Sequence, residues 1–159
     1  MADKATGSLS ASVFQDEVKA TMSGSSVYEP KDSNDKWLFA EVAVTNTSAD
    51  LIADRDYLGS ADTTVVADDD VAWIAIKNIS TTSTDGVAIR IDAGTAAYNS
   101  AGNIYIGAGE MVVLKTYTTP LASIHAIAVT MDGTYGYPNA VHGSTVSCQI
   151  AAIVDDGGV

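Results

Sequence analysis

Cysteine is almost absent from these 159 residues. Cys148 stands alone, which excludes an internal disulfide framework and any multi-cysteine zinc site. Basic residues are scarce too: 8 Lys+Arg against 20 Asp+Glu give a formal charge of −12 and a pI near 4.1. A phosphate backbone or an anionic lipid surface needs a Lys/Arg footprint, so neither nucleic acid nor membrane is an expected partner. Long apolar runs are missing as well. Stretches such as Val71 to Ile76 fall far short of the roughly 20 residues that a membrane-crossing helix needs. The segment Met1 to Ser8 has neither a basic start nor an apolar stretch, so no secretory signal is expected. Without export, Asn46-Thr47-Ser48 and Asn78-Ile79-Ser80 read as chance matches to the glycosylation pattern.

The residues that are present describe a folding chain. Its charged fraction is 18% and its hydrophobic fraction 47%, with a mean hydropathy of +0.14, whereas an acidic disordered chain would be poor in apolar residues. The length suits one compact domain. From Trp37 onward the dominant period is two. In Gly86 to Asp92, Val87, Ile89 and Ile91 alternate with Ala88, Arg90 and Asp92, as a half-buried strand requires. Similar segments run over 37–45, 63–67, 71–79, 103–106, 110–117, 123–131 and 145–154. They are rich in Val, Ile, Thr and aromatics and are separated by turn residues, including Asp132-Gly133 and Pro138-Asn139. Ile104-Tyr105-Ile106 and Met111-Val112-Val113 flank Gly107-Ala108-Gly109 and predict a hairpin. The expected fold is all-β: an antiparallel β-sandwich or a jelly-roll-like barrel over 37–154, with an N-terminal arm or linker over 1–36 and a flexible tail over 155–159.

The arm has two readings. Ser12 as N-cap, Gln15 as its capping-box partner and a stripe of Phe14, Val18 and Met22 describe a short helix near 13–22. Leu9, Ala11 and Val13 alternating with Ser8, Ser10 and Ser12 describe a strand. Functionally, the segment either docks on a neighbouring chain or packs on its own domain.

Charge is unevenly placed. Most of the acidic excess lies between Glu41 and Asp92, while Ala93 to Val154 carries only Glu110, Lys115 and Asp132. Interfaces are depleted of charge and enriched in aromatics, and Tyr98, Tyr105, Tyr117, Tyr135 and Tyr137 lie in this stretch. It is either a contact surface of a homo-oligomer or an interior region whose outer face is covered by Ser, Thr and Asn. The loop Met131 to Asn139, with Tyr135 and Tyr137, has the composition of an adaptable contact loop for a subunit or a glycan. Phe14, Val18, Met22, Tyr135 and Tyr137 are therefore the candidate interface residues.

Catalytic patterns are thin. Asp68-Asp69-Asp70 offers oxygen ligands, but neighbours on an extended chain point apart and no EF-hand spacing is present, so it reads as a solvated loop. His125 and His142 form no zinc motif. Cys148 falls on the Val146 and Ile150 side of its strand, as a buried thiol would. No Gly-x-Ser-x-Gly elbow or phosphate-binding loop occurs. No enzyme activity, metal or cofactor is expected.

Val71 to Ile79, the Ser83-Thr84-Asp85-Gly86 turn with Val87 to Asp92, and Ile104 to Leu114 resemble segments of small structural proteins of tailed-bacteriophage virions. These include head decoration (cement) proteins and tail or fibre components. The resemblance spans about residues 37–154 and carries over no functional residue. It implies a multimeric β-domain on a virion, assembled in the host cytoplasm, that clamps capsid subunits through a terminal arm or loop. The implied partners are the capsid protein and further copies of the chain itself, with a trimer expected. The chain is short for a major capsid protein, which favours an accessory role. A carbohydrate-binding or host-adhesion module, as in a tail fibre, is the alternative.

Overall fold

The computed structural model describes residues 4–15, 18–30, 35–52, 55–58, 69–91, 95–120, 123–134 and 136–155, with the side chains of 11–21 and 117–119 left aside. The first two strands, β1 (Ala5–Gln15) and β2 (Val18–Tyr28), pair with each other as an antiparallel hairpin. The other nine are β3 (Asp35–Val44), β4 (Ala49–Asp50), β5 (Asp70–Asn78), β6 (Asp85–Ile91), β7 (Ile104–Ile106), β8 (Met111–Pro120), β9 (Ile124–Met131), β10 (Pro138–Val141) and β11 (Val146–Asp155).

They form two antiparallel sheets. One is ordered β3-β11-β5-β8; the other is β10-β9-β6-β7, with β4 also paired to β9. The chain crosses between the sheets at every connection from β3 to β11 except β6–β7 and β9–β10. Setting β10 aside, the facing orders β3-β11-β5-β8 and β4-β9-β6-β7 are those of a jelly roll, two Greek keys folded face to face. The expected all-β sandwich is what forms. Among the described residues no helix is long and apolar enough to cross a membrane.

The main core lies between the sheets. Val42, Ile74, Ile76, Cys148 and Ile150 from one sheet meet Val87, Ile89, Ile106, Ile124 and Ala126 from the other. On β11 the alternation is clear: Val146, Cys148, Ile150 and Ala152 are buried and Ser147, Gln149 and Ala151 are only partly so. β5 departs from it. Ala72 is a bulge, because Val71 faces Val154 and Trp73 faces Ile153 with no partner between. The extra residue reverses the parity, so Val71, Ile74 and Ile76 join the main core while Trp73 turns to the outer face.

Each outer face has its own cover. On the four-stranded sheet, Trp73 and Ile153 pack with Ala5 and Tyr28 of the hairpin. On the other sheet, Ala88, Ile127 and Val129 pack under Ala96, Tyr98 and Tyr105. That cap is pinned where Ala96 N–H donates to Ser48 Oγ at 2.7 Å and Tyr105 O–H donates to the Tyr98 carbonyl at 3.0 Å. The sparse charge after Ala93 thus has an intramolecular cause. β9 and β11 are interior strands; the outer face of β9 is covered by the cap and that of β11 in part, at Ile153.

Several expectations need correction. Residues 13–15 and 18–22, expected as part of a short helix, are strand; the competing period-two pattern prevails there, because pairing across the hairpin satisfies both strands' backbone groups and joins their apolar positions. Residues 107–109 do not close a hairpin. β7 pairs with β6 and β8 with β5, so the turn carries the chain from one sheet to the other, letting Ile106 and Val112 enter one core from opposite sides. Pro138 and Asn139 begin β10 and are not mere punctuation. Asp35 and Lys36 already belong to β3, and Asp155 to β11, so the sheet exceeds 37–154 at both ends.

Candidate interaction surface

The hairpin is two-faced by register. Ala5, Gly7, Leu9, Ala11 and Val13 pair with Tyr28, Ser26, Gly24, Met22 and Ala20 on one parity; the other parity is mostly Ser and Thr. The root of the apolar side is docked. Ala5 is buried, Trp73 Nε1–H donates to Ser26 Oγ at 3.3 Å, and a Cβ on Gly7 would lie 2.7 Å from a Val113 methyl. Farther out the same side is bare: Leu9 is 48% exposed and Met22 64%. Ser8, Leu9, Ser10, Ser23, Gly24 and Ser25 wall a hollow with no residue of the sandwich among them. A strip that begins as core therefore continues as exposed apolar surface.

The sheet beneath it is also only partly covered. Across its outer face the register aligns Trp37, Ile153, Trp73 and Lys115 in one row, and Phe39, Ala151, Ala75 and Val113 in the next. The hairpin root sits on the first row, and Gly7 meets the second at Val113, on the edge strand β8. At the opposite edge Phe39 is 54% exposed. A shallow depression of about 140 Å³, lined by Phe39, Ala75, Ala151, Met111, Lys77 and Gln149, lies between them.

The five expected interface residues are not brought together. Met22 is exposed on the hairpin, whereas Tyr137, 53% exposed, precedes β10 on the other sheet. Phe14 pairs with Lys19 on the parity opposite to Met22 and Val18, so the proposed helical stripe is split. The side chains of Phe14 and Val18, and all of Tyr135, lie outside the described residues. Tyr98 and Tyr105 are consumed in the outer cap of the second sheet. Leu9, Phe39 and Met111 were missed because alternation reports which residues share a face, while exposure depends on how far the hairpin covers that face.

Polar constellations serve the scaffold. Asp68 lies outside the described residues, but Asp69 is no solvated loop residue: it is buried and accepts a hydrogen bond from Tyr57 O–H at 2.5 Å. His125 Nε2 meets Asp50 at 3.0 Å across β9 and β4. His142 Nε2 meets Asp85 at 3.2 Å, and His142 Nδ1 lies 3.1 Å from both the N–H and the carbonyl oxygen of Ser144. Ser144 Oγ stands 3.3 Å from the same Nδ1, which resembles a Ser-His-Asp relay. However, the Ser144 N–H and carbonyl both crowd that nitrogen at 3.1 Å, and the contacts tie the β10–β11 loop to β6. Desolvation pushes the Cys148 thiol up to about 12, so it is protonated and unreactive at neutral pH. Among the described residues no three His, Cys, Asp or Glu side chains converge to hold a metal ion.

Asn78, noticed in the sequence only as a glycosylation match, is fully buried. Its Nδ2 donates to the Asp85 and Ile106 carbonyls at 2.9 and 3.3 Å, and its Oδ1 accepts from Ser80 N–H at 2.9 Å. Its backbone also bonds both ways with the Gly107–Glu110 turn. This one side chain joins β5 to the opposite sheet, and a glycan there is incompatible with the fold. Compared with family models, curated proteins and solved structures, the chain matches none.

Proposed function

We propose that this chain is a non-enzymatic structural protein of a tailed-phage virion, which decorates and reinforces the capsid through subunit contacts. The observation that carries this reading is the two-faced hairpin, docked at its root and apolar and bare at Leu9 and Met22. A projecting apolar strip stabilises only the state that supplies a second surface, which is how a cement protein favours the assembled shell. The partners are the capsid protein and further copies of the chain, and no metal, cofactor or catalytic residue enters the mechanism.

The test is occupancy on purified particles. Removing residues 1–36 would also uncover Trp73 and Ile153. A cleaner variant joins Ser8 to Ser25 through Asn-Gly, a turn suited to a two-residue hairpin, which keeps the root and deletes the outer half. Occupancy should fall while the sandwich stays folded; unchanged occupancy would refute the decoration role. The adhesion alternative draws on Tyr137, exposed beside Pro138 and Asn139, and on the use of jelly rolls by lectins as well as capsids. Glycan-array binding lost in Tyr137→Ala would favour it.

A further inference from the structure

We propose that the outer half of the β1–β2 hairpin docks on the four-stranded sheet of a second copy of this chain, seating Leu9 and Met22 against Phe39, Met111 and the Ala75–Ala151 floor. This rests on the oligomeric part of the reading above and not on the capsid.

The first argument is chemical continuity. Within one chain the apolar parity of the hairpin already packs on this sheet face, with Ala5 against Trp73 and Ile153, and Gly7 against Val113. The outer half carries the same kind of side chain on the same parity, and the uncovered row beside the root is apolar and floored by alanines. A flat floor flanked by Phe39 and Met111 accepts a strand pair better than a bulkier element.

The second argument is geometry. The hairpin passes over the sheet toward β8: Ala5 lies at the central strands and Gly7 at Val113 of the edge strand. The exposed Leu9 and Met22 lie beyond Gly7 along the hairpin, whereas Phe39 stands on β3, the opposite edge. The Leu9–Met22 strip and Phe39 thus lie toward opposite edges of one molecule, with the depression running between Phe39 on β3 and Met111 on β8. Between copies they form a head-to-tail contact, which closes into a ring when the rotation allows. The outer half spans seven residues per strand, Leu9 to Gln15, or about 23 Å by 10 Å. One junction then buries on the order of 500 Å² in total, below the ~1,200 Å² of a stable specific interface. Single contacts should be weak, and closure or a lattice should make them persist.

The test uses Met22→Cys and Phe39→Cys in separate full-length chains; both sites are exposed, and native Cys148 is buried. Mixed under mild oxidation, they should give a disulfide-linked dimer at least several-fold above either chain alone. Adding Leu9→Asp to the Met22→Cys chain should abolish it. Dimers of Met22→Cys with itself in equal yield, or no mixed dimer at concentrations approaching millimolar, would overturn the proposal. Circular dichroism of each variant verifies the fold. Loss of particle occupancy in the shortened hairpin without mixed dimers defeats this inference alone; mixed dimers with occupancy unchanged defeat only the decoration role.

Discussion

Everything assigned to the hairpin depends on its root lying flat on the sheet, and Gly7→Ala probes that contact directly. The new Cβ would stand 2.7 and 2.8 Å from the two Val113 methyl carbons, where carbon contacts relax at about 3.5–4.0 Å. The root must therefore rise by about 1 Å, or Val113 must leave its rotamer. Overpacking of this kind costs about 1–3 kcal/mol, and the lower entropy of an unfolded chain with alanine returns about 0.4–1 kcal/mol. A net loss of about 1–2 kcal/mol is expected. Val113→Ala alone deletes the two methyl groups of a half-buried side chain, about 1 kcal/mol. In the double variant both methyl clashes are gone and only a 3.2 Å contact between the two Cβ atoms remains, so its stability should lie close to that of Val113→Ala. The coupling of about 1–2 kcal/mol is the diagnostic quantity. Urea unfolding gives the free energies, and tryptophan emission gives the location, because Trp37 and Trp73 both lie in the cluster under the root. Gly7→Ala should shift that emission to the red. An unchanged midpoint and emission, or strictly additive effects in the double variant, would refute the docked root.

Asn78→Ala should cost about 2–4 kcal/mol, since its side chain makes three hydrogen bonds in a buried site, and urea unfolding would show it. A loss below 1 kcal/mol would deny it the role of joining the sheets. Tyr57→Phe removes a donor to the buried Asp69 carboxylate and should cost about 1.5–3 kcal/mol by the same assay. Cys148 gives a pH dependence: the folded thiol keeps its proton up to about 12 while the unfolded one releases it above 9.0. The folded state therefore binds more protons in that window, and stability should fall by up to about 1.4 kcal/mol per pH unit above 9. Below pH 9 the group contributes no slope, and Cys148→Ala should flatten the alkaline one. His142→Ala should free the β10–β11 loop at a cost of about 1 kcal/mol, seen as faster hydrogen exchange at Ser144.

The amino-acid sequence by itself marked the segments of β3, β5, β6, β7, β8, β9 and β11 and, within most of them, which side chains share a face; the strand expected over 63–67 lies outside the described residues. Val87 and Ile89 alternate with Ala88 and Arg90, and Val146, Cys148 and Ile150 with Ser147 and Gln149, because side chains on an extended chain point to opposite sides. It also set the acidic, nearly cysteine-free composition. Pairing partners were another matter. Gly107 to Gly109 are equally good residues for a hairpin and for a crossing between sheets, and only the shared burial of Ile106 and Val112 decides between them. The Ala72 bulge, which sends Trp73 outward, is invisible to a strict alternation. Asn78 and Asp69 look like surface polar residues until the opposite sheet and Tyr57 supply their partners. Tertiary structure also separates the exposed Leu9, Met22 and Phe39 from chemically similar core residues, because exposure depends on where the hairpin root ends on the sheet.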